Sequence, residues 1–274
     1  MVVFPNAKIN LGLRITSKRS DGYHNLDTVF YPIGLCDVLE VVQHPSQEII
    51  FNSSGKKIEG SIDQNLCVKA YHLLKNDFPQ LPSIQIHLHK HIPMGAGMGG
   101  GSADGAFMIK LLNDKFKLGL DNEKMECYAL QLGSDCPIFI INKSCYATGR
   151  GEEMEEIQLD LSSYFILLIS PGIHVSTAEA FKNASPDSSI RSCKEIIQQP
   201  IGNWKDALIN DFEKSVFLLH PVLKEIKEDL YAKGAIYASM TGSGSSFYGI
   251  FTSAPNSKHF VDNGYEVNLI KPQN

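Results

Sequence analysis

The sequence predicts an α+β protein built as two domains with a ligand cleft between them. Three observations carry this. Segments with two-residue alternation and segments with helical periodicity follow one another irregularly in both halves, the pattern of mixed sheet-and-helix layers rather than of a regular βαβ repeat. A chain of 274 residues is long enough for two separate cores. The acidic stretch Gly149-Arg150-Gly151-Glu152-Glu153-Met154-Glu155-Glu156 reads as a polar surface connection, dividing the chain into domains 1–153 and 154–274.

In chain order, residues 2–16 alternate, with Ala7, Ile9, Leu11, Leu13 and Ile15 on one face and Lys8, Asn10, Gly12 and Arg14 on the other. That is the pattern of a half-buried strand. A turn at Ser20-Asp21-Gly22 leads into Tyr23-His24 and further strand-like sequence to Val42. A helix is predicted over 65–78 and a strand over 83–89, then a second helix from Ala103 and a third over 123–132, closed by Gly133. Ile138 to Ile141 reads as a strand, 149–156 as a connection and 164–170 as a buried strand. Helices are predicted near 177–181, 191–199, 204–219 and 221–233, the last with Pro221 at its start and Gly234 just past its end. Strands at 236–240 and 247–251 flank a second glycine loop, Thr241-Gly242-Ser243-Gly244-Ser245-Ser246.

Charge and composition narrow the function classes. Net charge is −5, with 43% hydrophobic and 20% charged residues, so no general attraction to nucleic acid or to an anionic membrane is implied. The six cysteines, Cys36, Cys67, Cys127, Cys136, Cys145 and Cys193, follow neither a Cys-x-x-Cys spacing nor a compact disulfide pattern. Reduced thiols in a cytoplasmic protein are expected. The N-terminal residues lack a charged segment followed by a long apolar one, and no anchor or export signal is read.

The densest signal is Pro93-Met94-Gly95-Ala96-Gly97-Met98-Gly99-Gly100-Gly101-Ser102, which runs into a helical stretch with Ala103, Phe107, Leu111 and Leu112 on one face. Glycine lets backbone N–H groups approach an anion and reaches the positive φ values of a concave loop. The N-terminus of the following helix adds unpaired N–H groups and a positive dipole end. Ser102 reads as the N-cap. The segment lacks the lysine of G-x-x-x-x-G-K-[ST]. Gly95, Gly97 and Gly100 satisfy G-x-G-x-x-G, but the acidic residues about 20 positions on, Asp121 and Glu123, look like a helix cap and first turn.

Phosphoryl transfer needs a phosphate cradle, a cation, a divalent metal and a group to orient or deprotonate the acceptor hydroxyl. Asp135, in an irregular segment held by Pro137, suits a general base, or alternatively a turn-stabilising aspartate. Lys8 suits the cation, or a solvated strand lysine. Ser102 could serve Mg²⁺ or the helix cap, and Asp104 could neighbour the metal. Thr241–Ser246 could add N–H groups or be a plain hairpin turn. His87, His89 and His91 share a strand face without a nearby acidic or cysteine ligand, and Cys136 has no companion histidine.

Lys8 in Ala7-Lys8-Ile9-Asn10-Leu11, the glycine loop, Gly133-Ser134-Asp135-Cys136-Pro137 and Met240-Thr241-Gly242-Ser243-Gly244-Ser245 together resemble the signature segments of the GHMP kinases. Arg19-Ser20-Asp21-Gly22-Tyr23-His24-Asn25-Leu26, the triple glycine before Ser102, Pro171-Gly172 leading to Thr177 and Phe181, and Asn210-Asp211-Phe212-Glu213 narrow the resemblance to the branch acting on a cytidine-diphosphate-linked methylerythritol.

The resemblance implies a ribosomal protein S5 domain 2-like N-terminal domain and a ferredoxin-like C-terminal domain, with the active site in the cleft. ATP would lie over Pro93–Ser102 with Mg²⁺. Asp135 would be the base and Lys8 its partner, with Tyr23 and Phe181 sandwiching cytosine and His24 reading its edge. Asn10 would hold the erythritol end, and Thr177 and Gly242 fall in substrate-binding segments. The reaction implied is ATP-dependent phosphorylation of the C2 hydroxyl in the non-mevalonate route to isoprenoid precursors, by a monomer or homodimer with no nucleic-acid or membrane partner. The rivals are another small-molecule kinase of the homoserine or mevalonate type, whose acceptors carry no nucleobase, a dinucleotide-binding oxidoreductase, and a non-catalytic binding protein of kinase descent.

Overall fold

The computed structural model describes residues 1–45, 48–182, 186–187 and 191–272. The first half carries β1 (Val2–Val3), β2 (Asn6–Lys18), β3 (His24–Cys36), β4 (Val38–Gln43), β5 (Ile50–Gly55), α1 (Leu66–Asp77), β6 (Ile84–Lys90), α2 (Gly100–Phe116), α3 (Asn122–Leu132) and α4 (Pro137–Ile141). There follow β7 (Cys145–Thr148), β8 (Glu153–Glu156), β9 (Phe165–Ser170), α5 (Thr177–Lys182), α6 (Cys193–Ile197) and α7 (Phe212–Leu219). The chain continues through α8 (Pro221–Ala232), β10 (Tyr237–Met240), β11 (Phe247–Phe251), α9 (Lys258–Asp262) and β12 (Glu266–Ile270).

Two compact units are interleaved in sequence. The first comprises 1–7, 34–94 and 99–143, and the second 8–33, 95–98 and 144–274. A single boundary at 153 does not coincide with them, because the acidic stretch folds into β8 and pairs with β7 in the register Thr148↔Glu153, Tyr146↔Glu155. The connection predicted over 149–156 is therefore a turn followed by a strand.

In the first unit the sheet runs β1-β4-β6-β5, with β6 antiparallel to β4 and parallel to β5. The alternation of β6 buries Ile84, Ile86 and Leu88 and leaves His87 and His89 exposed. The same alternation carries Lys90 inward. Helix α1 begins where the Asn65 side chain accepts from the Cys67 N–H at 2.9 Å, a regular N-cap. It lies close against α2, because Gly105 has no side chain there: a Cβ on it would meet the Leu66 Cβ at 2.9 Å. Asp121 caps α3 through the Lys124 N–H, and Gly133 ends it. Ile138 to Ile141, which the sequence predicts as a strand, instead lie in the helix α4, opened by Pro137. A four-residue apolar run does not distinguish the two by periodicity, and a proline at the first helical position favours the helix.

The second unit holds the sheet β2-β3-β7-β8 and the antiparallel sheet β10-β11-β9-β12. Its core gathers Leu13, Ile15, Leu167, Ile169, Phe212, Val216, Leu223, Ile226, Leu230, Phe247 and Phe260. Burying each such side chain contributes about 1.5–3 kcal/mol. β2 is buried on both faces along most of its length rather than half-buried, since its polar side chains find partners inside the protein. The helix predicted over 204–219 is reduced to α7. The Asn210 amide instead donates to the Met240 and Gly242 carbonyls, each at 2.9 Å, while its oxygen accepts from the Phe212 N–H.

Candidate active site

In the second unit, the segment Gly95–Met98 is stitched to β2 and to the loop after β10. The Lys8 N–H donates to the Met98 carbonyl at 3.1 Å. The Thr241 hydroxyl accepts from the Asn10 N–H and donates to the Gly97 carbonyl, both at 3.1 Å. Gly97 adopts φ +77°, and Gly242, at φ +56°, faces the Gly97 backbone. Thr241–Ser246 closes as a turn between β10 and β11, with the Thr241 N–H donating to Ser246. Thr177 reaches this turn through a 3.0 Å hydrogen bond between its hydroxyl and that of Ser243.

Helix α2 of the first unit begins at Gly100, preceded by Gly99 at φ 69°, ψ 19°, with no side-chain cap. Ser102 is thus the third helical residue, not the N-cap. Its neighbours Gly100 and Gly101 present bare backbone, and the first turn carries no acidic residue. N–H groups at this end lack intrahelical acceptors and favour an anion.

Lys8 and Asn10 project from the same face of β2 and are both about 2% exposed. The Lys8 ammonium donates to the Asn10 Oδ1 at 2.6 Å and lies 4.9 Å from the Phe30 ring centroid. The Asn10 amide donates to the Thr28 hydroxyl at 2.9 Å, and the Asn10 carbonyl accepts from the Tyr248 hydroxyl at 2.7 Å. Asn10 thereby fixes the direction of the lysine.

Tyr23 and Phe181, expected as an aromatic pair, each have another ring or cation beside them. His24 stacks on Phe181 with centroids 4.9 Å apart and planes 18° from parallel, and Phe181 meets Phe212 edge-on at 4.7 Å. The Arg150 guanidinium lies 5.1 Å from the Tyr23 ring centroid. Successive residues of an extended segment point to opposite sides, which places His24 rather than Tyr23 over Phe181.

Asp135 is half-buried between the end of α3 and Pro137. Burial pushes the neighbouring Cys136 thiol up to about 12, against a hydrogen bond from Ser102, with the Asp135 charge adding to the rise. That thiol is inert at neutral pH. His87 and His89 both reach the Ser54 hydroxyl at 2.9 Å.

A buried charge cluster went unread in the sequence. The Lys90 ammonium pairs with Asp37 and, at 2.8 Å, with Asp104. Asp37 also accepts from the His91 and Ile92 N–H groups at 2.6 and 2.8 Å. Burial raises Asp104 to about 8, Lys90 opposing and Asp37 reinforcing the shift. One oxygen of Asp104 is engaged by Lys90. The signal was the inward phase of β6, which ends on Lys90. Beside this cluster a cavity of about 180 Å³ is lined by Ile58, Glu59, Asn65, Leu66, Met94 and Asp104, among others.

Among the described residues no three His, Cys, Asp or Glu side chains gather to hold a metal. Mg²⁺ brought in on nucleotide phosphates needs only one or two protein ligands besides its waters. The Ser102 hydroxyl suits that role.

Residues 65–143 match the GHMP kinases N terminal domain, and residues 191–265 match GHMP kinases C terminal. The chain is 54% identical, over 92% of each chain, to a 4-diphosphocytidyl-2-C-methyl-D-erythritol kinase of Bacteroides fragilis. A crystal structure of 4-(cytidine 5'-diphospho)-2C-methyl-D-erythritol kinase superposes over 100% of both chains with a TM-score of 0.78 at 28% identity. Homoserine kinase from Cytophaga hutchinsonii shares the fold, with a TM-score of 0.70 at 12% identity over 98% of this chain and 95% of its own. This chain belongs to the GHMP kinase family.

Proposed function

We propose that this ATP-dependent small-molecule kinase transfers the γ-phosphoryl group of ATP to the C2 hydroxyl of 4-diphosphocytidyl-2-C-methyl-D-erythritol, in the non-mevalonate route to isoprenoid precursors. The observation that carries the reading is the 54% identity, across 92% of both chains, with the Bacteroides fragilis kinase of that name.

In this reading Pro93–Ser102 holds the nucleotide phosphates through backbone N–H groups, and the cavity lined by Asn65 and Leu66 takes the adenine. Asp135 accepts the proton of the acceptor hydroxyl, which must lie within hydrogen-bond reach of its carboxylate. Lys8, aimed by Asn10, stabilises negative charge on the transferring group. Ser102 would offer its hydroxyl to a Mg²⁺ carried on the nucleotide phosphates, which would supply positive charge against the negative charge of the transferring group. Tyr23 and Phe181 stack on cytosine and His24 reads its polar edge, which a base-specific site requires. Stacking a base on Phe181 displaces the His24 ring from it. Asn10 lies toward the erythritol end, with Thr177 and Gly242 in the substrate-binding segments. The six cysteines stand as thiols outside any disulfide, which supports a cytoplasmic setting.

Phosphorus NMR of the product, made with MgATP and the cytidine compound, tests the reading. A single new phosphomonoester on C2 is expected. An ester on another hydroxyl, or ADP without a phosphorylated acceptor, would refute it.

A further inference from the structure

The turn before β3 braces its own backbone. The Arg19 N–H donates to the Tyr23 carbonyl at 2.8 Å, the Tyr23 N–H to the Asp21 Oδ1 at 3.0 Å, and the Arg19 Nε to the Asp21 Oδ2 at 3.1 Å. None of these bonds holds the Tyr23 ring, which is 57% exposed. A tyrosine ring in that setting turns freely unless something covers a face. The Arg150 guanidinium covers one, at 5.1 Å from the centroid.

Arg150 is itself held. Glu152 accepts from the Arg150 N–H at 2.5 Å and from its Nε at 3.1 Å. The segment is tied to β3 by the Leu26 N–H donating to the Gly149 carbonyl at 2.7 Å. Gly149, at φ +64°, makes room for the carboxylate, since a Cβ there would lie 3.0 Å from the Glu152 Oε2. Glu152, Arg150 and Tyr23 thus form a chain of contacts ending on an aromatic face. Charge acts in the same direction, because a cation over one face of a ring is attracted by its quadrupole.

We propose that Arg150, fixed by Glu152, is a positioning residue of the base subsite: it covers one face of Tyr23 and presents the opposite face to the cytosine ring. The inference rests on the reading that Tyr23 stacks on cytosine. Arg150 then sets affinity for the cytidine substrate without touching the reacting atoms. Its loss raises KM for that substrate and leaves kcat and the KM for ATP unchanged.

The test compares the full chain with Arg150→Gln, Arg150→Lys, Glu152→Gln, Tyr23→Ala and the double variant Tyr23→Ala/Arg150→Gln in steady-state kinetics. Arg150→Gln is expected to raise KM for 4-diphosphocytidyl-2-C-methyl-D-erythritol about 2- to 5-fold, the range of a partly exposed cation–π contact. Arg150→Lys recovers part of it, and Glu152→Gln shifts KM in the same direction. In the Tyr23→Ala background Arg150→Gln has no further effect, since its partner is gone. An unchanged KM in Arg150→Gln beside a raised KM in Tyr23→Ala overturns the proposal alone. So do effects that multiply in the double variant, which would put Arg150 on the substrate itself. An unchanged KM in Tyr23→Ala removes the base-site reading and this proposal with it. Should Arg150→Gln not fold, Arg150→Lys and Glu152→Gln carry the same comparison.

Discussion

A Cβ on Gly97 would lie 2.0 Å from the carbonyl oxygen of Thr241. The two glycine-rich loops of the second unit therefore meet backbone to backbone. The Thr241 hydroxyl bridges them to β2 by accepting from Asn10 and donating to Gly97. This contact fixes the N-terminal flank of the glycine loop relative to the strand that carries Lys8.

Gly97→Ala should be severely destabilising. The substitution combines a positive φ with a clash against backbone that no rotamer relieves, and should cost about 2–4 kcal/mol. Gly101→Ala provides the contrast, since nothing lies within 4 Å of its Cβ position and it sits in helix. Its stability should stay level or rise by about 0.5–1 kcal/mol. Urea unfolding of both variants measures the difference.

The Asp37–Lys90–Asp104 cluster makes stability depend on pH in an unusual direction for a carboxylate. Asp104 lies at about 8 in the folded chain against an ordinary 3.8, so between these values the folded state keeps a proton that the unfolded state releases. Its contribution is full below about pH 4 and is lost as pH rises toward 8. Asp104→Asn should flatten that slope and gain relative stability at pH 8 over pH 5, read by thermal melting at both. Lys90→Met should cost about 3–5 kcal/mol, because it leaves the buried Asp37 without its cation and Asp104 without its hydrogen-bond donor.

Asp135→Asn should abolish turnover while ATP affinity, measured by calorimetry, stays close to the parent value. The amide keeps the shape and loses the proton acceptor. Retained turnover would remove Asp135 from the mechanism.

Phe181→Ala should raise KM for the cytidine substrate about 5- to 150-fold, the equivalent of one base–aromatic stack. The KM for ATP should not move. An unchanged KM for the cytidine compound would place the base elsewhere.

Features written in local backbone chemistry were legible in the sequence. The Asp121 cap, the Gly133 stop, the Pro221 start and the positive-φ glycines each depend on residues a few positions apart. What escaped depends on distant partners. The acidic run at Glu153–Glu156 becomes a strand only because β7 offers it a ladder, and the helix expected from Trp204 gives way where Asn210 binds the carbonyls of Met240 and Gly242. Ser102 looked like a cap by residue type, yet a helix can start on bare glycine when Gly99 takes the left-handed conformation. Lys90 was hidden because a lysine at the end of an apolar alternation looks solvated until Asp37 and Asp104 arrive from elsewhere in the chain. Lys8 and Asn10 were visible as one polar face of a strand, but their burial was not.

The central claim is that the acceptor is the cytidine compound. It is tested most directly by ADP release from the purified protein with MgATP, in parallel with 4-diphosphocytidyl-2-C-methyl-D-erythritol, homoserine, mevalonate and no acceptor. Turnover with the cytidine compound alone is the predicted result. Turnover with homoserine or mevalonate, and none with the cytidine compound, would contradict it.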